Sequence, residues 1–544
     1  AYASSSCSHF IIEKNKKYIK IFFSQAKRYE LNRLLFYNIK RFIKRIEVLI
    51  LNTKNKDIPC LITIFGATGD LSHRKLFPSL FHLYQQENLN EQVAIIGIGR
   101  RELTNDDFRS QVKSSIQEHV KDTKHLDKFM EHVFYHKHDV SDEASYQSLL
   151  EVSNKLDTEF NLNGNRLFYL AMAPKFFGVI SDYLKSSGLT ETTGFKRLVI
   201  EKPFGSDLAS AEDLNEQLRR SFKEEEIYRI DHYLGKDMVQ NIEVLRFANA
   251  MFEPLWNNKY ISNIQVTSSE VLGVEDRGGY YESSGALKDM VQNHMLQMVA
   301  LLAMEAPISL HSEDIRAEKV KALKSLRKLE PEEVRQNFVR GQYDEGVIQG
   351  QKVPKYRDED RVAENSTTPT FVAGKLTIDN FRWAGVPFYI RTGKRMKSKT
   401  IQVVVEFKEV PMNLYYETDK KLDSNLLVIN IQPNEGVSLH LNAKKNVQGI
   451  ETEPVQLSYA MSAQDKMNTV DAYENLLFDC LNGDATNFTH WEELKSTWKF
   501  VDAIQEEWNQ NEPEFPNYES GSNGPLDSDL LLSRDGFKWW DDIH

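Results

Sequence analysis

An acid, an imidazole, a phenol and an ammonium group lie within the eight residues Arg229–Lys236. These groups belong to Asp231, His232, Tyr233 and Lys236. If the chain is helical from Leu234 onward, His232 lies just before the helix and Lys236 in its first turn, where backbone N–H groups and the helix dipole attract anions. The segment is therefore predicted to bind a phosphorylated ligand; the alternative is an ordinary strand-to-helix corner with solvated charges.

His294 is a candidate for proton transfer within a second segment, the predicted helix Leu287–Met304. The i±3, i±4 and i±7 spacing places it on one face with the apolar residues Leu287, Met290, Val291, Met298 and Leu301. A histidine on an apolar face is more often a core residue than a catalyst. An acid such as Asp231 beside it would instead make a general base, held in one tautomer and stabilised when charged.

The segment Gly66–Gly69 lies where a dinucleotide-binding fold has its glycine turn, between the apolar strand Cys60–Phe65 and a predicted helix Ser72–Gln86. Its GxxGxL spacing departs from GxGxxG, so the motif alone also fits a plain strand-to-helix turn. The second strand, Val93–Ile98, leads to Arg100, where an NAD-binding fold usually has an acid. An arginine suits a 2′-phosphate, which favours NADP over NAD.

Two further basic motifs follow or separate predicted strands. Glu201-Lys202-Pro203 comes after the strand Arg197–Ile200, at the carboxyl edge of the sheet, where such folds bind ligands. Lys202 is placed to reach both cofactor and substrate, and Lys202–Pro203 is a candidate cis peptide; the alternative is a rigid turn with a solvated lysine. Five cations lie in Arg391–Lys399, which fits either a phosphate or sugar site or a solvated hairpin tip.

The order of the predicted elements indicates the fold class. Short apolar strands alternate with helices from Cys60 to Phe222, which predicts a Rossmann-like, doubly wound parallel sheet. Helical segments at Lys236–Ala248 and throughout 312–340 lead to five successive strands between Thr370 and Leu441, which predict a larger domain with a mostly antiparallel sheet backed by helices. The tail from Asn511 is predicted to be irregular as far as Trp539. The class is α/β followed by α+β.

Charge is distributed unevenly along the 544 residues, whose net charge is −11. Residues 1–56 carry 13 Lys+Arg and 3 Asp+Glu, a local charge of +10, which leaves −21 on the remainder. An acidic body must bind an anion in a local basic pocket, and nucleic acid is excluded as its partner. The basic segment 1–51 is predicted to lie outside the fold; a transit peptide or a membrane-surface helix is the alternative.

The three cysteines lie far apart, at positions 7, 60 and 480, without the spacing of a metal site. Cysteine usage of this kind indicates a reducing compartment, so a cytoplasmic location and no metal are predicted. No run of about 18 apolar residues occurs, which predicts that nothing spans a membrane.

Taken together, five motifs resemble the glucose-6-phosphate dehydrogenase family, in its bacterial form. They are GATGDLSHRK (66–75), EKPFG (201–205), RIDHYLGK (229–236), DMVQNH (289–294) and RTGKRMKSK (391–399). The resemblance runs from Cys60 almost to the C-terminus, and RIDHYLGK is nearly diagnostic of the family. Residues 1–51 have no counterpart in it.

The resemblance implies a site and a reaction. His294 would remove the proton of the C1 hydroxyl of glucose 6-phosphate while hydride passes to NADP, and Asp231 would orient His294. The 6-phosphate would be held by His232, Tyr233, Lys236 and Lys399, and the sugar hydroxyls by Glu270, Asp289 and Lys394, with Lys202 bridging cofactor and substrate. The cofactor turn would comprise Gly66, Thr68, Gly69, Asp70, Leu71 and Lys75, with Arg100 on the 2′-phosphate. The products would be the lactone and NADPH, and family members associate as dimers or tetramers through the large sheet.

The predicted domains are an NADP-binding Rossmann-like domain over 52–230 and a substrate-binding and oligomerisation domain over 231–544. NAD stays open as a second cofactor. Two alternative functions are a sugar dehydrogenase of the glucose–fructose oxidoreductase type, which would not require the RIDHYLGK cluster, and a non-catalytic NADP-sensing regulator, which would not need an Asp–His pair.

Overall fold

The computed structural model describes residues 58–89, 91–415, 422–461 and 470–541. The predicted basic leader, residues 1–51, lies outside the described residues. Among the helices that are described, none combines the length and the apolar character needed to cross a membrane.

Apolar strands of four to seven residues build a parallel sheet in the first half of the described chain. They are β1 (Cys60–Phe65), β2 (Val93–Gly99), β3 (Val133–Lys137), β4 (Arg166–Leu170), β5 (Lys196–Ile200) and β6 (Ile227–Ile230). The spatial order is β6-β5-β4-β1-β2-β3, and a further strand, Phe488–Thr489, pairs antiparallel with β6. This order confirms the doubly wound sheet and puts its ligand crevice outside the carboxyl ends of β1 and β4.

Helices connect these parallel strands. They are α1 (Phe77–Gln85), α2 (Asn105–His119), α3 (Leu126–Met130), α4 (Glu143–Phe160), α5 (Phe177–Ser186) and α6 (Leu208–Arg219). Capping boxes begin α2, where the Asp107 N–H donates to Thr104 Oγ1 at 3.1 Å, and α6, where the Ser210 N–H donates to Asp207 Oδ1 at 2.8 Å. The predicted helix Ser72–Gln86 differs at its start, because Ser72–Leu76 is a π-helical turn.

A larger sheet follows in the second half of the described chain. Its strands are β7 (Ile261–Ser269), β8 (Phe338–Gly341), β11 (Phe371–Thr377), β12 (Pro387–Gly393), β13 (Thr400–Phe407), β14 (Leu426–Gln432), β15 (Gly436–Lys444) and β16 (Thr452–Ala460). The order is β16-β15-β14-β13-β7-β12-β11-β8, in which β7 and β12 are parallel and the other described neighbours are antiparallel. This confirms the mostly antiparallel sheet.

Helices and short strands complete the second half. The helices are α7 (Asp237–Ala248), α8 (Gly278–Ala286), the π-helix Leu287–Met295, α9 (Leu296–Ala303), α10 (Ser312–Lys324), α11 (Pro331–Asn337), α12 (Ala472–Asn482), α13 (Trp491–Gln510) and α14 (Leu526–Ser533). The remaining strands are β9 (Tyr343–Ile348), β10 (Gln351–Val353), β17 (Phe488–Thr489) and β18 (Tyr518–Ser520). The π-helix packs between the sheet strands β11 and β12 and helix α13.

Several local predictions were wrong. The stretch 312–340 is not helical throughout, because α11 ends at Asn337 and Phe338 already pairs with Gly374 in the sheet. The tail beyond Asn511 is not irregular as far as Trp539, since it forms β18 on β9 and then α14. Both elements depend on hydrogen-bond partners far away in the chain, which turn-rich composition does not reveal.

The turn after β1 requires glycine at its first position. Gly66 has φ +86°, and a Cβ built there would lie 2.3 Å from the Ala171 carbonyl oxygen. Gly66→Ala must therefore move the backbone between β1 and β4, whereas Gly350→Ala, at φ +80° with open space around it, meets only the left-handed cost of about 1–2 kcal/mol. We expect Gly66→Ala to lower the thermal midpoint clearly more than Gly350→Ala; equal losses would contradict this account of the turn.

Candidate active site

A buried acid–imidazole pair lies where the two halves of the chain meet. Asp231 follows directly after β6, and His294 lies in the π-helix with its Nδ1 2.5 Å from Asp231 Oδ1. His294 is fully buried and Asp231 is 3% exposed. The Tyr233 backbone N–H also donates to Asp231 Oδ1, at 2.9 Å, so the carboxylate is fixed by the turn that it begins.

The π-helix sets which side chains share a face. Asp289 and His294 are five residues apart, a separation that would turn them about 140° from each other on an α-helix. Because hydrogen bonds run from i to i+5 in a π-helix, residues five apart come to nearly the same side. Lys202 Nζ accordingly donates to both Asp289 Oδ1, at 3.1 Å, and His294 Nε2, at 3.0 Å.

The contacts of His294 define its proton state. Nδ1 faces the carboxylate of Asp231, and Nε2 accepts from the Lys202 ammonium, so the neutral ring carries its proton on Nδ1. Burial lowers the pKa of His294, Asp231 opposes that shift, and the positive charge of Lys202 adds to it. The imidazole is thus held in the form that can accept a proton at Nε2.

Two residues of the Arg229–Lys236 segment pack around this ring. The Tyr233 ring is stacked on His294, with centroids 4.2 Å apart and an interplanar angle of 13°, and its hydroxyl lies 3.0 Å from Ser268 Oγ. The His232 ring meets His294 edge-on at 4.6 Å. Burial, followed by the positive charges of His294 and Lys202, holds the pKa of His232 well below its usual value.

A cavity of about 350 Å³ opens beside His232. Its lining includes Lys75, His232, Lys236, Asp471 and Tyr473. Burial and the nearby charge of Lys399 lower the pKa of Lys236. The lining thus brings two lysines and a histidine together with the carboxylates of Asp237, Glu435 and Asp471. Lys236 is the N-cap of α7 and not part of its first turn. The helix begins later than predicted because tight turns continue through Gly235, whose Cβ position lies 2.6 Å from the Ala472 carbonyl oxygen.

Charged groups of the second half of the chain also lie near the Asp231–His294 pair, called the dyad below. Lys394 forms an ion pair with Glu270, and its ammonium lies 5.5 Å from the centre of the Tyr281 ring. Burial alone would raise the pKa of Asp289, but Lys202, His294 and Lys394 hold it well below its usual value. Asp289 is thus an ionised acceptor between two lysines.

The predicted cofactor residues lie at the carboxyl ends of β1 and β2. The Gly69 N–H donates to the Gly66 carbonyl at 3.0 Å, and Thr68 packs against Gly99. Arg100 follows β2 with an exposed side chain, which suits an anionic group of a dinucleotide. Lys75 extends toward the dyad side and pairs with Asp471 at 2.7 Å. Asp70 is exposed and Leu71 is half-buried at the start of the first helix.

Several residues at the site were not predicted from the sequence. The Tyr280 hydroxyl donates to Asp289 Oδ1 at 3.1 Å. Ser268 is hydrogen-bonded to the Tyr233 hydroxyl, and Asp471 forms an ion pair with Lys75. No short-range signal marks them, because each is separated from its partner by a turn or by many residues. The donor atoms of Asp231, His232 and His294 also lie within 4.8 Å of one another, a spacing that a metal ion could bridge.

A doubly wound nucleotide fold with a buried Asp–His pair at its edge, joined to a helix-backed antiparallel sheet, defines a nicotinamide-dependent dehydrogenase. Two family models match the chain: the glucose-6-phosphate dehydrogenase NAD binding domain over residues 63–241 and its C-terminal domain over residues 243–540. The chain belongs to the glucose-6-phosphate dehydrogenase family.

Known proteins resemble the chain over most of its length. Glucose-6-phosphate 1-dehydrogenase of Bacillus subtilis (strain 168) is 59% identical over 486 residues, covering 89% of this chain and 99% of that protein. The Leuconostoc mesenteroides enzyme is 44% identical over 483 residues, with 89% and 99% covered. A solved glucose-6-phosphate dehydrogenase in complex with its substrate glucose-6-phosphate superposes with a TM-score of 0.81 at 36% identity, covering 89% of this chain and 99% of the other. These matches confirm the predicted family and favour it over both alternatives.

The opposed charges on either side of His294 predict how its pKa responds to substitution. Lys202→Gln should raise the pKa of His294 because a neighbouring positive charge is removed, and Asp231→Asn should lower it because the carboxylate no longer stabilises the imidazolium. NMR titration of ¹⁵N-histidine-labelled protein measures both, with His294→Asn identifying the resonance. Lys137→Gln, which removes an exposed partner of Glu102, is the control and should leave the titration unchanged. Shifts in the same direction for both variants would contradict the assignment.

Proposed function

We propose that this chain oxidises glucose 6-phosphate at C1, with NADP as hydride acceptor, and releases 6-phosphogluconolactone and NADPH, the first step of the oxidative pentose phosphate pathway. The observation that carries the proposal is the buried Asp231–His294 pair next to a cavity lined by Lys75, His232 and Lys236. The pair supplies a base, and the cations supply a phosphate clamp. Family membership over both halves of the chain supports the same reaction.

His294 is assigned as the general base. Its Nε2 is the nitrogen left to take the proton of the C1 hydroxyl, because Nδ1 is committed to Asp231. Asp231 keeps the ring in that tautomer and stabilises the imidazolium that forms. A bound nicotinamide supplies the hydride acceptor, and the chain's part is to bring C1, the base and the cofactor into one geometry. Lys202, between Asp289 and His294, is assigned to contact both cofactor and substrate.

The substrate residues fall into two groups by their surroundings. We assign the 6-phosphate to two residues that line the cavity, His232 and Lys236, together with Tyr233 and Lys399. We assign the sugar hydroxyls to the charged residues on the other side of the dyad, Glu270, Asp289 and Lys394. The residues assigned to the phosphate include two lysines, which suit an anion. The residues assigned to the sugar combine two carboxylate acceptors with one ammonium donor, which matches neutral hydroxyls that both donate and accept.

The cofactor is assigned to the turn after β1, with Gly66, Thr68, Gly69, Asp70 and Leu71 lining it and Lys75 at its inner end. The exposed guanidinium of Arg100 favours NADP, and NAD is the second choice. No metal is required in this proposal. The three clustered donor groups of the dyad and His232 lie against the Lys202 ammonium, 3.0 Å from His294 Nε2, which opposes a divalent cation there.

The assembly, the location and the domain limits are parts of the same proposal. We assign a homodimer or homotetramer formed through the large sheet, whose outer strand β16 exposes Leu457 and Tyr459, each 60% accessible. The proposed domain limits are 52–230 for the NADP-binding domain and 231–544 for the substrate-binding and oligomerisation domain. A cytoplasmic location fits the buried, unpaired thiols of Cys60 and Cys480 among the described residues.

The experiment that tests the proposal follows NADPH or NADH formation by absorbance with glucose 6-phosphate and with free glucose. Glucose 6-phosphate with NADP should give the highest kcat/KM, because the lysines assigned to the phosphate have no partner in free glucose. A clear preference for free glucose would overturn the substrate assignment. A preference for NAD would overturn the role of Arg100 alone.

Removal of the base should separate chemistry from binding. His294→Asn should reduce kcat by about 10²–10⁴-fold, the usual contribution of general base catalysis, while NADP affinity measured by fluorescence titration is kept. His311→Asn, which changes an exposed histidine outside the site, is the matched control and should retain full activity. Activity retained in His294→Asn would rule out the assigned base.

Substitutions of Asp231 and Lys236 should change different kinetic constants. Asp231→Asn should lower mainly kcat, because the ring loses its orienting partner. Lys236→Gln should raise KM for glucose 6-phosphate about tenfold to a hundredfold, the value of one charge-assisted hydrogen bond, and leave the slow turnover of free glucose unchanged. Steady-state kinetics with both sugars make the comparison, and the reverse pattern would undo the division of roles.

A further inference from the structure

Glu201 is a buried carboxylate that the reaction described above does not use. It is 8% exposed and directly follows β5, immediately before Lys202. The Tyr169 hydroxyl donates to Glu201 Oε1 at 2.6 Å, and the Tyr473 phenol lies close to the same carboxylate. Tyr169 lies on β4 and Tyr473 in the first turn of α12, so the carboxylate joins two distant parts of the chain.

The energetics of this cluster indicate that it has a purpose beyond packing. Burial raises the pKa of Glu201, while the Tyr169 hydrogen bond and the charge of Lys202 oppose the rise. Burial likewise holds the pKa of both phenols above the ordinary value, so both remain protonated donors. A carboxylate buried in this way is costly unless every partner is in place, and apolar residues of similar volume would pack at least as stably.

The position of Tyr473 is fixed by contacts of its helix that do not involve Glu201. At the N-terminal end of α12, the N-cap Asp471 pairs with Lys75 at 2.7 Å, Glu474 pairs with His82 at 2.5 Å, and Asn475 Nδ2 donates to the Gly235 carbonyl at 3.1 Å. These contacts reach the helix of the cofactor turn and the segment that carries Lys236. Tyr473 is therefore fixed by the same elements that define the site, and it can transmit that position to Glu201.

We propose that Glu201 is a positioning residue: its two phenol partners fix the backbone at Lys202 so that the ammonium stays between Asp289 and His294. The inference rests on the proposed function, in which Lys202 bridges cofactor and substrate. It deepens that function by extending the site to Tyr169, Glu201 and Tyr473, of which Tyr473 also lines the cavity assigned to the phosphate, so Tyr169→Phe alone is the variant that leaves the cavity lining unchanged.

The test removes the two phenol oxygens and keeps the rings, in the double variant Tyr169→Phe/Tyr473→Phe. We expect kcat to fall about tenfold to a hundredfold, the scale of a small misplacement of a reacting group. The acid limb of the kcat/KM profile should move to higher pH, because a displaced Lys202 no longer lowers the pKa of His294. The other titratable groups facing His294, namely Asp231, His232, Tyr233 and Asp289, are unchanged in this variant.

The control is Tyr146→Phe, which removes a phenol oxygen that is fully buried in the same half of the chain and donates to the Val140 carbonyl at 3.0 Å. It should leave the acid limb in place. If the double variant does not fold, Tyr169→Phe alone and Glu201→Gln carry the same expectation. In a Lys202→Gln background the Tyr→Phe substitutions should not shift the acid limb of the kcat/KM profile any further, since the effects of substitutions at coupled residues are not additive.

A loss of turnover with an unshifted acid limb would mean a merely structural role and would overturn the proposal, as would equal shifts in the Tyr146 control. The histidine NMR titration separates this proposal from the proposed function. If the protein does not oxidise glucose 6-phosphate, the function fails, but the phenol changes must still raise the pKa of His294 for the positioning role to stand. An unchanged titration would overturn it whatever the enzyme's substrate.

Discussion

The hydrogen bond between Asp231 and His294 is the constraint on which the rest of the site depends. It joins the end of the parallel sheet to the π-helix of the second half, and both partners are almost completely buried. Two ionisable groups in such surroundings are tolerated only when each satisfies the other, because an unpaired buried charge is costly. The pair therefore fixes how the two halves meet, and Lys202 and Tyr233 take their positions relative to it.

The electrostatics of the site follow from where cations are concentrated. The chain beyond residue 56 carries a net charge of −21, yet Lys75, His232, Lys236 and Lys399 all lie near one cavity. Burial, and then repulsion from the positive charges of His294, Lys202 and Lys236, holds the pKa of His232 well below its usual value, so it can contact a phosphate without adding a further charge to desolvate. An anionic ligand relieves this repulsion. The pocket thus binds by local arrangement, against the field of the whole molecule.

Much of the fold and the centre of the site could be predicted from the sequence. Strand and helix periodicity gave both sheets, and the chemistry packed into Arg229–Lys236 indicated an anion site before any partner was known. The π-helical register of Leu287–Met295 could not be predicted, because its apolar face fits the α-helical period equally well. Tyr169 and Tyr473 could not be found either, since only tertiary packing brings them to Glu201. The roles of the individual site residues remain predictions.

One strand of the parallel sheet, β6, pairs with a strand that comes from the second half of the chain. Strand β17 pairs with β6, and α12 adds Leu476, Leu477, Cys480 and Leu481 to the core beneath β1. During synthesis on the ribosome, β6 is made more than two hundred residues before its neighbour Phe488–Thr489, so its hydrogen-bonding edge and the face under α12 stay uncovered over that interval. Unpaired strand edges of this kind recruit other chains. The late-arriving segment thus closes the nucleotide-binding half against misassembly, and a nascent chain interrupted before Phe488 would be the species that a chaperone must protect.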